Sequence, residues 1–141
     1  MHPSESLTYW LLQALSSLFL AILFLQSGID KIVDRRGNLD FLTGHFAKSP
    51  LAKTVGPMFL TITILETLSG ILSGIGCLFI VFRHDPTVAF FGAVISAIAL
   101  SALFFCQRVC KDYAGASALL PYFILALAAI WVTGTVHLVT I

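Results

Sequence analysis

Four long runs of apolar residues divide this chain, and short polar segments separate them. The runs cover approximately residues 7–31, 55–82, 87–106 and 117–138. As helices they are long enough to cross a hydrocarbon core of about 30 Å. The pattern therefore predicts an all-α integral membrane protein, in which residues 1–141 form a single domain built as a four-helix transmembrane bundle.

The loop between the first two runs contains a shorter amphipathic segment. Leu39, Leu42 and Phe46 recur at intervals of three and four residues, whereas Asp40 and His45 fall elsewhere around a helix. This spacing predicts a short interfacial helix that lies along the membrane surface within the first loop.

The loop before the last run begins with polar residues and ends with residues that have small side chains. Arg108 and Asp112 are four residues apart, the spacing at which a helix places two side chains on one face, and we expect them to form an ion pair. The following segment, residues 114–117, consists of small residues. We expect it to form a bend before the fourth membrane helix.

The composition narrows the class of protein further. Hydrophobic residues make up 58% of the 141 positions, charged residues make up 11%, and the mean hydropathy is +0.97. These values exclude an ordinary soluble domain. The net charge of +1 provides no polybasic surface for nucleic acid. For a chain this apolar, we expect membrane lipids and other membrane protein subunits as partners.

Basic residues are distributed unevenly between the two sides of the predicted bundle. Loops one and three hold seven of them, whereas the opposite side holds only Arg83. The seven are Lys31, Arg35, Arg36, Lys48, Lys53, Arg108 and Lys111. By the positive-inside rule, loops one and three are cytoplasmic and both termini are outside.

One acidic residue, Glu66, interrupts the second apolar run. A charged side chain at bilayer depth costs about 2.5–3.5 kcal/mol on insertion scales, so it normally faces other helices and has a partner or a proton. Gly70 and Gly74 follow it at i+4 and i+8, and we expect these glycines to pack against a neighbouring helix.

Candidate partners for Glu66 cluster at the cytoplasmic ends of the first and third helices. They are Gln26, Asp30, Lys31, Gln107, Arg108, Lys111 and Asp112. The topology brings these ends together, which predicts a pocket with the Glu66 carboxyl at its floor and cations at its rim. Such a pocket would bind a polar head group on an apolar body, such as a quinone, or would relay protons.

Structural interpretations compete with each of these assignments. Glu66 could be a protonated hydrogen-bonding group between helices, and Lys31 could serve with Arg35 and Arg36 only to set the topology. Cys106 and Cys110 share a helix face and are interpreted as small apolar residues in preference to a redox pair. No spacing typical of metal ligands is present, and we expect neither a metal site nor a covalently bound cofactor.

Several of these residues also form a pattern that resembles a known family. The motifs are Phe24-x-x-x-Gly28-x-x-Lys31, Glu66-x-x-x-Gly70 and Gly74-x-Gly76. Together with the small, aromatic-rich final helix they resemble the DoxX family of four-helix bacterial membrane proteins, over roughly residues 9–134. Gly28, Lys31, Glu66 and Gly70 match the family pattern. One position departs from it, because many relatives carry an arginine early in the first helix and this chain has Gln13.

The resemblance implies a role in a membrane redox system, since the family is named after a thiosulfate:quinone oxidoreductase. We therefore expect an accessory or quinone-contacting subunit of an oxidoreductase or respiratory complex in the bacterial cytoplasmic (inner) membrane, with redox proteins as partners. The sequence assigns no catalytic residue. Two alternatives remain open: a stand-alone transporter of protons or a small molecule, and a membrane assembly factor.

Overall fold

The computed structural model describes residues 2–139, and it describes side chains as far as residue 135. Within this range the chain forms helices and no β-strand. The helices are α1 (Pro3–Val33), α2 (Arg35–His45), α3 (Val55–Arg83), α4 (Thr87–Val109), α5 (Tyr113–Ala118) and α6 (Leu120–Val139), and a 3₁₀ turn at Ala52–Thr54 precedes α3.

Four segments of the described chain are long and apolar enough to cross a membrane. They are Pro3–Val33, Ala52–Arg83, Thr87–Val109 and Tyr113–Thr135. The predicted all-α fold with four transmembrane helices is therefore confirmed, and the chain is a multi-pass membrane protein. The first helix begins at Pro3, earlier than the predicted residue 7. His2 and Glu5 form a capping box at its start, which stabilises a first helical turn made of polar residues.

The short helix predicted in the first loop is α2, and its apolar side faces the bundle. Asp34 caps its start by accepting a hydrogen bond from the backbone N–H of Gly37. Phe46, directly after the helix, is buried and packs in one cluster with Ile62 of α3 and Cys106 of α4. This contact holds α2 against one end of the bundle.

The bend predicted at residues 114–117 is wrong, because those residues lie within α5. The Asp112 side chain caps this short helix by accepting a hydrogen bond from the backbone N–H of Gly115. The chain turns one residue before that cap, at Lys111, whose φ of 64° lies in the left-handed region. The turn therefore separates α4 from α5.

The helix α3 lies between α1 and α4, and glycines allow all three backbones to approach closely. A Cβ atom on Gly70 would lie 2.7 Å from the backbone nitrogen of Leu25 in α1. A Cβ atom on Gly76 would overlap the backbone of Ala89 in α4. At Gly74, in contrast, a Cβ atom would meet its nearest neighbour at an ordinary 3.8 Å. Gly74 therefore does not set the spacing of these helices, whereas Gly76 does.

Candidate functional site

Glu66 is buried inside the bundle and contacts two residues of α1. Its side chain is only 3% exposed. The Glu66 Oε2 atom accepts a hydrogen bond from the Ser27 hydroxyl at 3.0 Å and lies 2.8 Å from the Lys31 Nζ atom. Lys31 also donates a hydrogen bond to the Ser27 Oγ atom at 2.9 Å. We call Ser27, Lys31 and Glu66 the Glu66 cluster.

The sequence of α1 explains why these three residues meet. Ser27 and Lys31 are four residues apart, so they point to the same side of the helix. Gly28 lies between them against Thr67 of α3, and a Cβ atom at Gly28 would lie 2.6 Å from the Thr67 hydroxyl and 3.2 Å from its Cα atom. The missing side chain lets the two backbones come close enough for a lysine to reach the carboxylate.

The Glu66 cluster is open at its lysine end. The Lys31 side chain is 17% exposed, although its ion-pair partner is almost fully buried. An ammonium group has three N–H donors, and contacts with Glu66 and Ser27 use two of them. In the part of the chain that the structure describes, the third has no hydrogen-bond partner. The cluster can therefore donate to an acceptor that reaches Lys31 while the carboxylate stays buried behind it.

A second polar group lies where α2 meets the turn between α4 and α5. The His45 Nε2 atom lies 3.3 Å from the Gln107 Oε1 atom, 3.4 Å from the Cys110 Sγ atom and 3.4 Å from the Asp112 Oδ2 atom. The imidazole ring is fixed by Phe41, which stacks on it, and by Phe46, which contacts it edge-on. We call His45, Gln107, Cys110 and Asp112 the His45 cluster.

Two predicted partners of Glu66 lie elsewhere. Gln26 and Asp30 share a face of α1, as the spacing indicates, but that face is exposed, and neither side chain contacts Glu66 in the described chain. Their role as site residues stays a prediction. Neighbouring residues lie about 100° apart around a helix, and the sequence pattern alone does not show which face of α1 meets α3. The face that meets α3 carries Ser27 and Lys31 instead.

The polar residues at the end of α4 also do not reach Glu66. Arg108 and Lys111 are exposed, and the Arg108 guanidinium lies over the ring of Tyr113, 4.7 Å from its centroid. The predicted ion pair between Arg108 and Asp112 is wrong because α4 ends at Val109, so the helical spacing does not extend to Asp112. Asp112 and Gln107 belong to the His45 cluster.

The single predicted pocket is thus replaced by two separate groups. No hydrogen bond or ion pair joins the Glu66 cluster to the His45 cluster among the described residues. Four surface grooves of the described bundle lie beside α6 and at the start of α1, and Glu66 lines none of these four. No group of three or more histidine, cysteine or acidic side chains in the described range is arranged to hold a metal ion.

Comparison with known proteins assigns neither a family nor a function to this chain. No family model matches the chain, and no curated protein or solved structure matches it. The DoxX resemblance therefore stays a prediction, and any functional argument depends on the geometry of the two clusters.

Sequence reasoning missed three residues of these clusters: Ser27, His45 and Cys110, the last of which it interpreted as a small apolar residue. Ser27 carried a usable signal, because it lies four residues before Lys31 on the same helix face. His45 carried none, because its contacts with Gln107 and Cys110 span 62 and 65 residues of sequence. Only the docking of α2 against the end of α4 brings those side chains together.

Proposed function

We propose that this protein is an accessory, quinone-contacting subunit of a membrane oxidoreductase or respiratory complex. Its membrane is the bacterial cytoplasmic membrane, with loops one and three in the cytoplasm, as the distribution of basic residues favours. The observation that carries the proposal is the Glu66 cluster: a buried carboxylate paired with a partly exposed ammonium group that has a free N–H.

The chemistry of this cluster suits a quinone head group. A quinone carbonyl is a hydrogen-bond acceptor, and Lys31 offers the donor at the open end of the cluster. Reduction of a quinone to a quinol takes up two electrons and two protons. Lys31 and Glu66 form a pair of ionisable groups at hydrogen-bond distance, 2.8 Å, through which a proton can pass to the ring oxygen.

The electrons in this scheme come from a redox partner. Outside the four candidate spans, the described chain consists of the short helix α2 and brief turns, so most of its surface is the apolar exterior of the bundle. The exposed aromatic residues include Phe91 of α4 and Trp131 of α6, which line a groove of about 440 Å³ between those helices. In the proposed complex, this groove is a surface that another membrane subunit could contact.

The proposal is tested by gentle extraction of the full chain through a C-terminal tag, followed by mass spectrometry of co-purifying proteins, lipids and quinones. We expect quinone together with haem, flavin or iron–sulfur proteins. Glu66→Gln should lower the quinone content, whereas Asp30→Asn, the same change at an exposed carboxylate of α1, should not. Recovery of the wild-type protein with neither quinone nor a redox protein would contradict the proposal.

A proton or small-molecule transporter is the second candidate, and one observation favours it. Buried hydroxyls continue along α3 beyond Glu66: Ser69 and Ser73 are fully buried, and the Ser73 Oγ atom has no hydrogen-bond partner among the described residues. A polar row that starts at an intramembrane acid is typical of proton paths. Flux into liposomes by the purified protein, abolished by Glu66→Gln, would favour this function over the subunit role.

A further inference from the structure

An apolar groove lies on the outside of the bundle, between the last turns of α4 and the start of α6. Its volume is about 190 Å³. The residues that line it are Leu100, Ser101, Phe104, Leu119, Leu120 and Phe123. The only hydroxyl among them, that of Ser101, donates a hydrogen bond to the backbone oxygen of Ala97. This groove, which we call the Phe104 groove, therefore suits a hydrocarbon chain.

The helix that forms one wall of the Phe104 groove carries a cation just beyond it. Successive residues lie about 100° apart around a helix, so Arg108 falls between Phe104 and Ser101 on the face of α4 that lines the groove. It lies four residues, or about 6 Å, beyond Phe104 along the helix axis. The groove thus leads to a guanidinium group at the end of α4.

Two cations at this end are available to an outside ligand. Arg108 lies over the ring of Tyr113, 4.7 Å from its centroid, and both Arg108 and Lys111 are exposed. Within the described chain, no hydrogen bond or ion pair joins either cationic group to another side chain. The neighbouring Asp112 carboxylate is engaged elsewhere, because it accepts a backbone hydrogen bond in α5 and lies 3.4 Å from the His45 Nε2 atom.

Two other apolar grooves of the described bundle lack this arrangement. One lies at the opposite end of α4 and includes Thr87, and the charged residue that most closely precedes it is the acidic Asp85. The other runs along α1 and α6, and the neighbouring turns of α1 carry the uncharged residues Thr8 and Ile22. An apolar groove alone indicates contact with any lipid tail or helix, whereas the cations beside the Phe104 groove add a preference for negative charge.

We propose that the Phe104 groove and the two adjacent cations form a binding site for an anionic phospholipid. One acyl chain lies in the groove, and the phosphate accepts hydrogen bonds from Arg108 and Lys111. A guanidinium group suits a phosphate because two of its N–H groups can bond to two phosphate oxygens at once. Basic sites beside membrane helices are typical of contacts with anionic lipid head groups. The site is separate from the Glu66 cluster, so this proposal and the quinone contact can fail independently.

The test of the cations compares two lipids with the same acyl chains, phosphatidylglycerol and phosphatidylcholine. Each is titrated into the full chain in detergent, and native mass spectrometry measures its Kd. We expect phosphatidylglycerol to bind more tightly. Its Kd should rise about five-fold in Arg108→Gln and about 25-fold in Arg108→Gln/Lys111→Gln. Arg36→Gln, which removes the same charge from an exposed position of α2, should leave it unchanged.

The groove is tested separately from the cations. Ser101→Phe places a ring in the groove and should weaken phosphatidylglycerol several-fold, whereas Thr61→Phe, the same kind of addition at an exposed position of α3, should not. Glycerol phosphate, which has the phosphate but no acyl chain, should fail to displace the lipid.

Three results would overturn the proposal. Equal binding of the two lipids would show that the site has no preference for negative charge. An equal loss of affinity in Arg36→Gln and Arg108→Gln would show an effect of net charge alone. Displacement by glycerol phosphate at the concentration at which the lipid itself competes would show a site for a free anion, in which the groove has no part.

Discussion

The two polar clusters of this protein differ in how donors and acceptors are matched. In the Glu66 cluster, a carboxylate that is 3% exposed receives one ammonium group and one hydroxyl. In the His45 cluster, two oxygens and a sulfur compete for one imidazole N–H, and the histidine and aspartate side chains are about ten times more exposed, at 27% and 30%. Each cluster joins a helix to a distant part of the chain.

The comparison shows how burial sets the number of partners that a polar group requires. Inside the bundle no water can replace a missing donor, so Glu66 is held with a matched charge and a hydroxyl. At the helix ends water can donate hydrogen bonds to the acceptors that His45 does not reach, so a cluster with more acceptors than donors is tolerated. The first arrangement keeps the Glu66 carboxylate fixed between α1 and α3, and the second leaves the Cys110 side chain partly exposed.

Removal of the Lys31 ammonium group should cause the largest loss of stability. In Lys31→Met the buried carboxylate loses its partner, and we expect the free energy of unfolding in detergent to fall by roughly 3 kcal/mol. The double variant Lys31→Met/Glu66→Leu should recover most of this loss, because an apolar pair needs no compensation. Equal stability of Lys31→Met and wild type would show that the ion pair does not hold α1 to α3.

A side chain added between α1 and α3 should cause the next largest loss of stability. The Cβ atom in Gly70→Ala would lie 2.7 Å from a backbone nitrogen that cannot rotate away, and we expect a loss of about 1–3 kcal/mol. In Gly74→Ala, one turn further along the same helix, the Cβ atom would make an ordinary contact at 3.8 Å, and we expect a neutral or slightly stabilising effect. Thermal unfolding of both variants in the same detergent compares them directly, and equal losses would contradict the close approach at Gly70.

A weaker effect is expected at the exposed cluster. The pair between His45 and Asp112 is screened by solvent, so Asp112→Asn should cost at most about 1 kcal/mol. Added salt should reduce the wild-type advantage further, whereas the contribution of the Lys31–Glu66 pair should change little. Unfolding curves at low and high ionic strength test this difference. If Asp112→Asn lost more unfolding free energy than Lys31→Met, independently of salt, the exposed cluster would contribute more to stability than the buried one, contrary to our expectation.

The smallest expected effect is the coupling between the clusters. Since no bond joins them in the described chain, the losses in Glu66→Gln and Asp112→Asn should add to within about 0.5 kcal/mol in the double variant. A double-mutant cycle on unfolding free energies measures the coupling. A larger coupling energy would mean that the two clusters act as one site, as the sequence pattern suggested.

Much of the fold follows from hydrophobicity alone. The four spans and α2 were predictable because apolar length and helical spacing are local properties of the chain. The bend at residues 114–117 was misplaced because small residues allow a turn without requiring one, whereas the Asp112 cap starts a helix there. The left-handed conformation at Lys111 has no clear signal in the sequence.

The candidate site was predictable only in part. An acid in a membrane helix requires a partner, and Lys31 was among the candidates that the topology brought near it. The sequence could not choose between the face with Gln26 and Asp30 and the face with Ser27 and Lys31, because a rotation by one residue exchanges them. That choice depends on Gly28, which brings α1 against Thr67 of α3.

Photolabelling can show whether the Lys31–Glu66 pair contacts a quinone, as we propose. Native membranes containing the full chain would be irradiated with an azidoquinone, and the labelled peptides would be mapped. We expect labelling at the end of α1 around Ser27 and Lys31, which is lost in Glu66→Gln and retained in Asp30→Asn. Labelling that is absent from this segment, or unchanged by Glu66→Gln, would contradict this proposal.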